Sequence, residues 1–154
     1  MSNCCENSPD IKESALVICK SCSRTGSSVN KITLESLLND DSKHKLIIDQ
    51  YYFCKNPLCS VVYFANPDSY FYKKDLIVEV SLKESRENIP VCYCFGYTKN
   101  DIKTEIQTTG KSTIEAKIKD KVQAGLCSCE IKNPQGKCCL YNIRKAIDYF
   151  LINK

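Results

Sequence analysis

Val91-Cys92-Tyr93-Cys94-Phe95-Gly96-Tyr97-Thr98 divides the chain. Two cysteines one residue apart lie in an apolar strip, and Thr98 can start a helix at once. The chain before this stretch reads as strand-rich, and the chain after it as helical. Six of the twelve cysteines come before it and four after it. Cys92 and Cys94 are therefore placed to present two thiolates to one metal centre. The expected fold is α+β. Residues 15–90 form a strand-rich half, residues 91–154 a small helical half, and residues 1–14 a polar, aperiodic tail in which Cys4 and Cys5 are an unstructured pair.

Twelve cysteines in 154 residues means a disulfide scaffold or a metal–thiolate protein. The amino terminus has neither a basic segment nor an apolar one, so no secretory signal is expected. No apolar run approaches the ~18 residues of a membrane span. The expected location is a reducing cytoplasm, without membrane insertion. The C-x-C, C-x2-C and adjacent pairs are also poor partners for internal bridges. Metal–thiolate chemistry is the better expectation.

Upstream of the dividing stretch, Ala15-Leu16-Val17-Ile18 reads as a strand delivering Cys19-Lys20-Ser21-Cys22, and Ser23 to Gly26 turns the chain back. Thr33 to Leu38 has the apolar spacing of a short helix, with Thr33 as candidate cap. Residues 39–45 read as a polar loop in which His44, the single histidine, is solvated. Gln50 to Phe53 leads as a strand into Cys54-Lys55-Asn56-Pro57-Leu58-Cys59, and Val61 to Phe64 leads out. The set C-x2-C-x31-C-x4-C thus comes from two hairpin knuckles. Meeting across a small sheet, they give a closed four-thiolate site of the structural zinc type. Residues 70–72 and 76–82 continue the strand pattern, with Leu76, Val78, Val80 and Leu82 on one face.

Downstream, Thr98 and Asp101 cap a helix whose Ile102 and Ile106 share a face and which stops at Gly110. Ser112-Thr113-Ile114-Glu115 reads as a second capping box, opening a helix with Ile114, Ile118 and Val122 as its stripe. A loop carrying Cys127, Cys129, Cys138 and Cys139 comes next, around an Asn133-Pro134-Gln135-Gly136 turn. Leu140, Ile143, Ile147 and Leu151 mark a final amphipathic helix.

These motifs carry a resemblance. The second half resembles bacterioferritin-associated ferredoxin and the central domain of NifU, which share C-x-C, two capped helices and a glycine-led cysteine pair opening a helix. Their second pair is C-x2-C, where this chain has four loop cysteines. Residues 15–150 as a whole are similar to the amino-terminal domain of the CopZ copper chaperones. The similarity rests on the Cys19/Cys22 knuckle, Tyr51-Tyr52-Phe53-Cys54-x-Asn56-Pro57-x-Cys59-x-Val61-Val62-Tyr63-Phe64, Val91-Cys92-Tyr93-Cys94-Phe95, and Cys127-x-Cys129-Glu130-x-x-Asn133-Pro134-x-Gly136-x-Cys138-Cys139-Leu140. The resemblance implies one zinc and one 2Fe–2S cluster. Zinc then falls on Cys19, Cys22, Cys54 and Cys59, and the cluster takes Cys92 and Cys94 with two of the four loop cysteines. Cys139 is chosen because it stands four residues before Ile143, as the helix-opening ligand does in the shorter ferredoxins. Cys129 is chosen to accompany it, with little to separate it from Cys127. Full chaperones of this family carry Cu(I) on a following M-x-C-x2-C domain, a motif this sequence lacks, so copper transfer by that route is not expected of these residues.

The formal net charge is +4, with 11 Lys+Arg against 12 Asp+Glu in residues 1–98 and 11 against 6 in residues 99–154. A tetrathiolate zinc site and an oxidised tetrathiolate 2Fe–2S cluster each carry about −2. The basic surplus is thus read as offsetting an anionic centre. The lysines are spread along amphipathic helices, so no nucleic-acid partner is expected. The functional expectation is an electron-transfer or metal-handling module rather than a turnover enzyme. Zinc holds the fold, and the cluster moves single electrons, in a copper context reducing Cu(II) to Cu(I). The implied partners are a copper chaperone domain, a copper-transporting ATPase or another redox protein. Cys127 and Cys138, left outside the cluster, are expected to capture Cu(I), a soft ion. The alternative is a non-redox interaction module in which the metals are structural.

Overall fold

The computed structural model describes residues 17–46, 50–65 and 68–153. The expected tail with Cys4 and Cys5, and the start of the first expected strand at Ala15 and Leu16, lie outside them. An antiparallel four-stranded sheet forms the first half in the order β1 (Gly26–Val29), β2 (Tyr51–Cys54), β3 (Val61–Ala65) and β4 (Ser69–Tyr72). Its aromatic, β-branched strands suit a pleated surface covered on both sides. All five residues of β3 are buried. Tyr51, Phe53, Val62, Tyr63 and Phe71 make one core with Leu34 and Leu38 of the adjoining helical segment. The pair Phe53 and Tyr63 face each other in register, their rings edge to face at 6.1 Å.

Several expectations change here. Of the described end of the run before Cys19, Ile18 makes an isolated bridge to Thr25. Helix α1 (Lys31–Leu37) begins after Asn30, and Thr33 is buried inside it rather than capping it. The polar loop after it contains a short helix, α2 (Asp40–Lys43), capped by the Asn39 side chain accepting from the Ser42 N–H at 2.9 Å. His44 comes directly after it, exposed.

Residues 76–82 bury Leu76 and Val80 fully, and Val78 and Leu82 in part, against the sheet core. The predicted alternation is thus present, but without a strand: Leu76 makes one bridge to Leu38, and 3₁₀ turns occupy 73–75 and 81–83. The period-2 pattern reports alternate burial, which an extended strap satisfies as well as a ladder does.

The second half is a hairpin, β5 (Pro90–Cys92) with β6 (Tyr97–Thr98), followed by α3 (Lys99–Thr109), α4 (Ile114–Gln123), α5 (Cys129–Lys132) and α6 (Leu140–Ile152). Thr98 and Asp101 form the expected capping box of α3, and Gly110 ends it at φ +80. The second expected box, Ser112 with Glu115, does not form: Ser112 Oγ accepts from the Ile114 N–H at 3.3 Å, Glu115 pairs with Arg144 and Lys119, and the N–H and hydroxyl of Thr113 donate to Glu105 of α3. Ile102, Ile106, Ile114, Ile118, Val122, Ile143, Ile147 and Phe150 make the helical core. Phe150 takes the position expected of Leu151, which is 38% exposed. Among the described residues no helix is long and apolar enough to cross a membrane.

Candidate metal centres

The first centre is built by sheet register. Pairing β1 with β2 sets Gly26 opposite Cys54, so the turn carrying Cys19 and Cys22 lies against the end of β2. Gly26 permits that approach, since a Cβ there would lie 2.5 Å from the Phe64 ring. Within the first knuckle the N–H of Cys19 donates to Arg24 O at 2.9 Å and the N–H of Ser23 to Cys19 O at 2.7 Å. Ser23 takes the left-handed conformation, φ +61, that reverses the chain. In the second knuckle the Asn56 side chain accepts from the Leu58 N–H at 3.1 Å, an Asx turn that returns the chain to Cys59.

Cys19, Cys22, Cys54 and Cys59 consequently offer four sulfurs that all lie within 4.8 Å of one another. Cys22 and Cys54 are 3.6 Å apart. Among the described residues no other group of three or more metal-type donors is drawn together so tightly. Cys19, Cys54 and Cys59 are buried and Cys22 half-buried, with Val61 and Phe64 packed around them. Burial raises the Cys19 pKa and pushes Cys54 up to about 12. At Cys22 burial acts the same way but is outweighed by hydrogen bonds from the Arg24 backbone, the Asn56 side chain and the neighbouring thiols, which bring it down to about 7. Four mutually contacting, largely buried sulfurs without a histidine or an open position suit a closed tetrahedral zinc site.

Sequence reasoning missed Lys83 here. Although 6% exposed, its ammonium donates to the carbonyls of Asn56 at 2.8 Å and Cys59 at 3.1 Å. It lies 5.8 Å from the centre of the Phe53 ring. Burial lowers its pKa, while the Cys54 and Cys59 sulfurs act the other way. A lysine beside a leucine in an apparent strand gives no sequence signal of this role.

At the second centre Cys92 ends β5, and the Gly96 N–H returns to Cys92 O at 2.8 Å with Gly96 at φ +78. That turn presents Cys94. Cys129 opens α5 and Cys139 immediately precedes α6, where the Ile143 N–H bonds to Cys139 O at 3.0 Å. Cys94 and Cys129 sulfurs are 3.4 Å apart, and the Ser128 N–H donates to the Cys94 sulfur at 3.2 Å. The Cys139 sulfur lies near enough to those of Cys92 and Cys129 to shift their titration, so the four sulfurs of Cys92, Cys94, Cys129 and Cys139 form one interacting group. Interaction with Cys139 lowers Cys92, and interaction with Cys139 and Cys94 brings Cys129 down to about 3. Cys94 is raised by Cys129, and Cys139 by Cys129 and Cys92.

Cys127 and Cys138 are each in a disulfide. Reduction is required before either captures a soft ion.

The geometry has counterparts among known proteins. The CopZ zinc binding domain matches residues 16–77. A solved structure, the CopZ amino-terminal domain of Archaeoglobus fulgidus, superposes with a TM-score of 0.69 at 31% identity, over 84% of this chain and 96% of that one. The chain belongs to the CopZ amino-terminal-domain family. The copper chaperone CopZ of the same organism is 32% identical over 128 residues, which are 82% of this chain. The chain spans about 60% of the length of that curated relative. The CopZ-like zinc-binding domain thus covers both knuckles of the first centre and the sheet between them.

Proposed function

We propose that the protein binds zinc through Cys19, Cys22, Cys54 and Cys59 and a 2Fe–2S cluster through Cys92, Cys94, Cys129 and Cys139, and serves as a one-electron module in copper handling. The observation that carries the reading is the sulfur set of the second centre: four cysteines from two separate hairpin and loop segments converge, three of them buried. The first centre's sulfurs crowd around one point, as a single ion requires. The second centre likewise offers four sulfurs, and a two-iron cluster takes two thiolates on each iron. The donor set is all thiolate, as both groups ask.

When bound, the cluster supplies single-electron transfer. The chain supplies the rest. Ile143 and the helical core shield Cys92 and Cys139, and the Ser128 N–H stabilises negative charge on Cys94. Cys94 is the half-exposed member of the four, so it faces the side from which an electron partner approaches. The relative named as a copper chaperone supports a copper context, with a copper chaperone domain or a copper-transporting ATPase as partner and Cu(II) reduction as the reaction served.

The test is anaerobic purification with an optical spectrum taken before and after dithionite. The reading expects a red-brown protein whose visible absorption bleaches on reduction and returns on reoxidation. A colourless, redox-silent protein containing zinc alone contradicts it.

A further inference from the structure

Each half of the second centre's cysteine set is fastened to the zinc-bearing half by hydrogen bonds. The segment between Cys129 and Cys139 is a bracket closed on itself: Asn133, 2% exposed, donates to Lys137 O at 2.6 Å and accepts from the Gln135 N–H at 3.1 Å. That bracket sits on the sheet half. The Tyr63 hydroxyl, fully buried on β3, donates to Pro134 O at 2.5 Å, and the Thr33 hydroxyl on α1 donates to Glu130 O at 2.6 Å. Tyr63 is four residues beyond Cys59 on the strand that leaves the second knuckle.

Cys92 and Cys94 are held from the other side. Tyr93, between them, donates its hydroxyl to Glu79 O and accepts from the Ser81 N–H at 3.0 Å. Two residues on, Lys83 grips the carbonyls of Asn56 and Cys59 in the second knuckle. Residues 79–83, the strap without strand partners, thus run from the loop joining Cys54 and Cys59 to the residue between Cys92 and Cys94.

We infer that Tyr93 and Tyr63 are positioning residues that make the second centre's hold on its cluster depend on the metal at Cys19, Cys22, Cys54 and Cys59. The inference rests on the two-centre reading above. Without metal the Cys54–Cys59 loop loses its cross-link, and Lys83 loses a fixed anchor. The strap slackens, and the Tyr93 hydroxyl no longer fixes the C-x-C turn. A buried hydroxyl without a partner is costly, so Tyr63 transmits the change instead of absorbing it, and the half-buried Tyr93 transmits it through its two main-chain partners. Coupling is reciprocal: a loaded cluster tightens zinc by the same factor.

The experiment uses the full chain, reconstituted anaerobically with iron and sulfide, as wild type, Tyr93→Phe and Tyr63→Phe. Far-UV circular dichroism and zinc content check the fold of each. Cluster loss to a chelator is followed by visible absorption, with zinc present and after its removal. Zinc removal is expected to speed cluster loss in the wild type by about tenfold. Tyr93→Phe is expected to keep its zinc, lose the cluster several-fold faster, and respond little to zinc removal. Wild-type rates equal within twofold with and without zinc overturn the inference. If the wild type takes up no iron, the two-centre reading itself falls. The coupling is then read from the alkylation rate of Cys94, which zinc removal is expected to raise; an unchanged rate overturns it.

Discussion

Replacing Lys83 by methionine tests whether the first centre is an anionic tetrathiolate. Four thiolates around one Zn²⁺ leave a net charge of about −2. Lys83 is a buried cation, 6% exposed, placed on two carbonyls of the second knuckle. Methionine keeps the length and apolar stem while removing the charge and both hydrogen bonds. Losing a supporting partner just outside the ligands costs zinc about ten- to a hundredfold in affinity, which is about 1.4–2.8 kcal/mol. Relief of the lysine's own desolvation works against that loss in the metal-free protein, so zinc affinity is a sharper readout than thermal stability. The assay is competition with a chromophoric chelator at fixed pH, with Lys83→Gln as the variant that keeps donors but loses charge. The account expects Lys83→Met to be weakest and Lys83→Gln intermediate. A Lys83→Met affinity within twofold of wild type, in a protein with native circular dichroism, refutes the charge argument.

Zinc affinity is expected to rise with pH. Cys19 is raised above its usual value, and Cys54 sits at about 12. Both are protonated in the metal-free protein between about pH 7 and 8.5, so binding expels at least two protons and log K climbs by at least two per pH unit. Below about 7, Cys22 protonates as well and the slope steepens; titrations at four pH values measure it. Cys129→Ser is expected to lose iron and Cys127→Ser to retain it, because the Cys129 sulfur lies 3.4 Å from that of Cys94 whereas Cys127 is in a disulfide; iron and acid-labile sulfide analysis decides. Gly136→Ala is expected to lower stability by about 2 kcal/mol and Tm by roughly 4–8 °C. Its Cβ would meet Thr33 Oγ1 at 2.8 Å and Val29 Cγ2 at 2.9 Å, at a φ of +67.

Much of this arrangement is legible in the residues. The knuckles announce themselves because C-x2-C and C-x4-C each sit beside a turn, and turn chemistry is local. The Thr98–Asp101 cap and the Ile102, Ile106, Ile114 and Ile118 stripe are local too, and the structure has them. Features that depend on tertiary pairing are not legible. Leu76 to Leu82 alternates like a strand, yet no neighbouring strand is paired with it, so burial alone carries the pattern. Ser112 to Glu115 looks like a capping box, but Glu105 from the preceding helix takes the Thr113 N–H and Glu115 pairs with Arg144 and Lys119 instead. Nothing local separates Cys129 from Cys127; the difference appears only when α5 brings Cys129 to 3.4 Å from Cys94. Lys83 and Tyr63 are invisible for the same reason, since their partners are main-chain carbonyls 24 and 71 residues away in sequence.

The most direct test of the two-centre account is metal analysis of anaerobically purified protein, counting zinc, iron and acid-labile sulfide per chain. The account predicts one zinc, two irons and two sulfides, with the iron and sulfide lost together in Cys94→Ser while zinc remains bound. Zinc filling both centres, with no iron or sulfide even after anaerobic reconstitution, would contradict it.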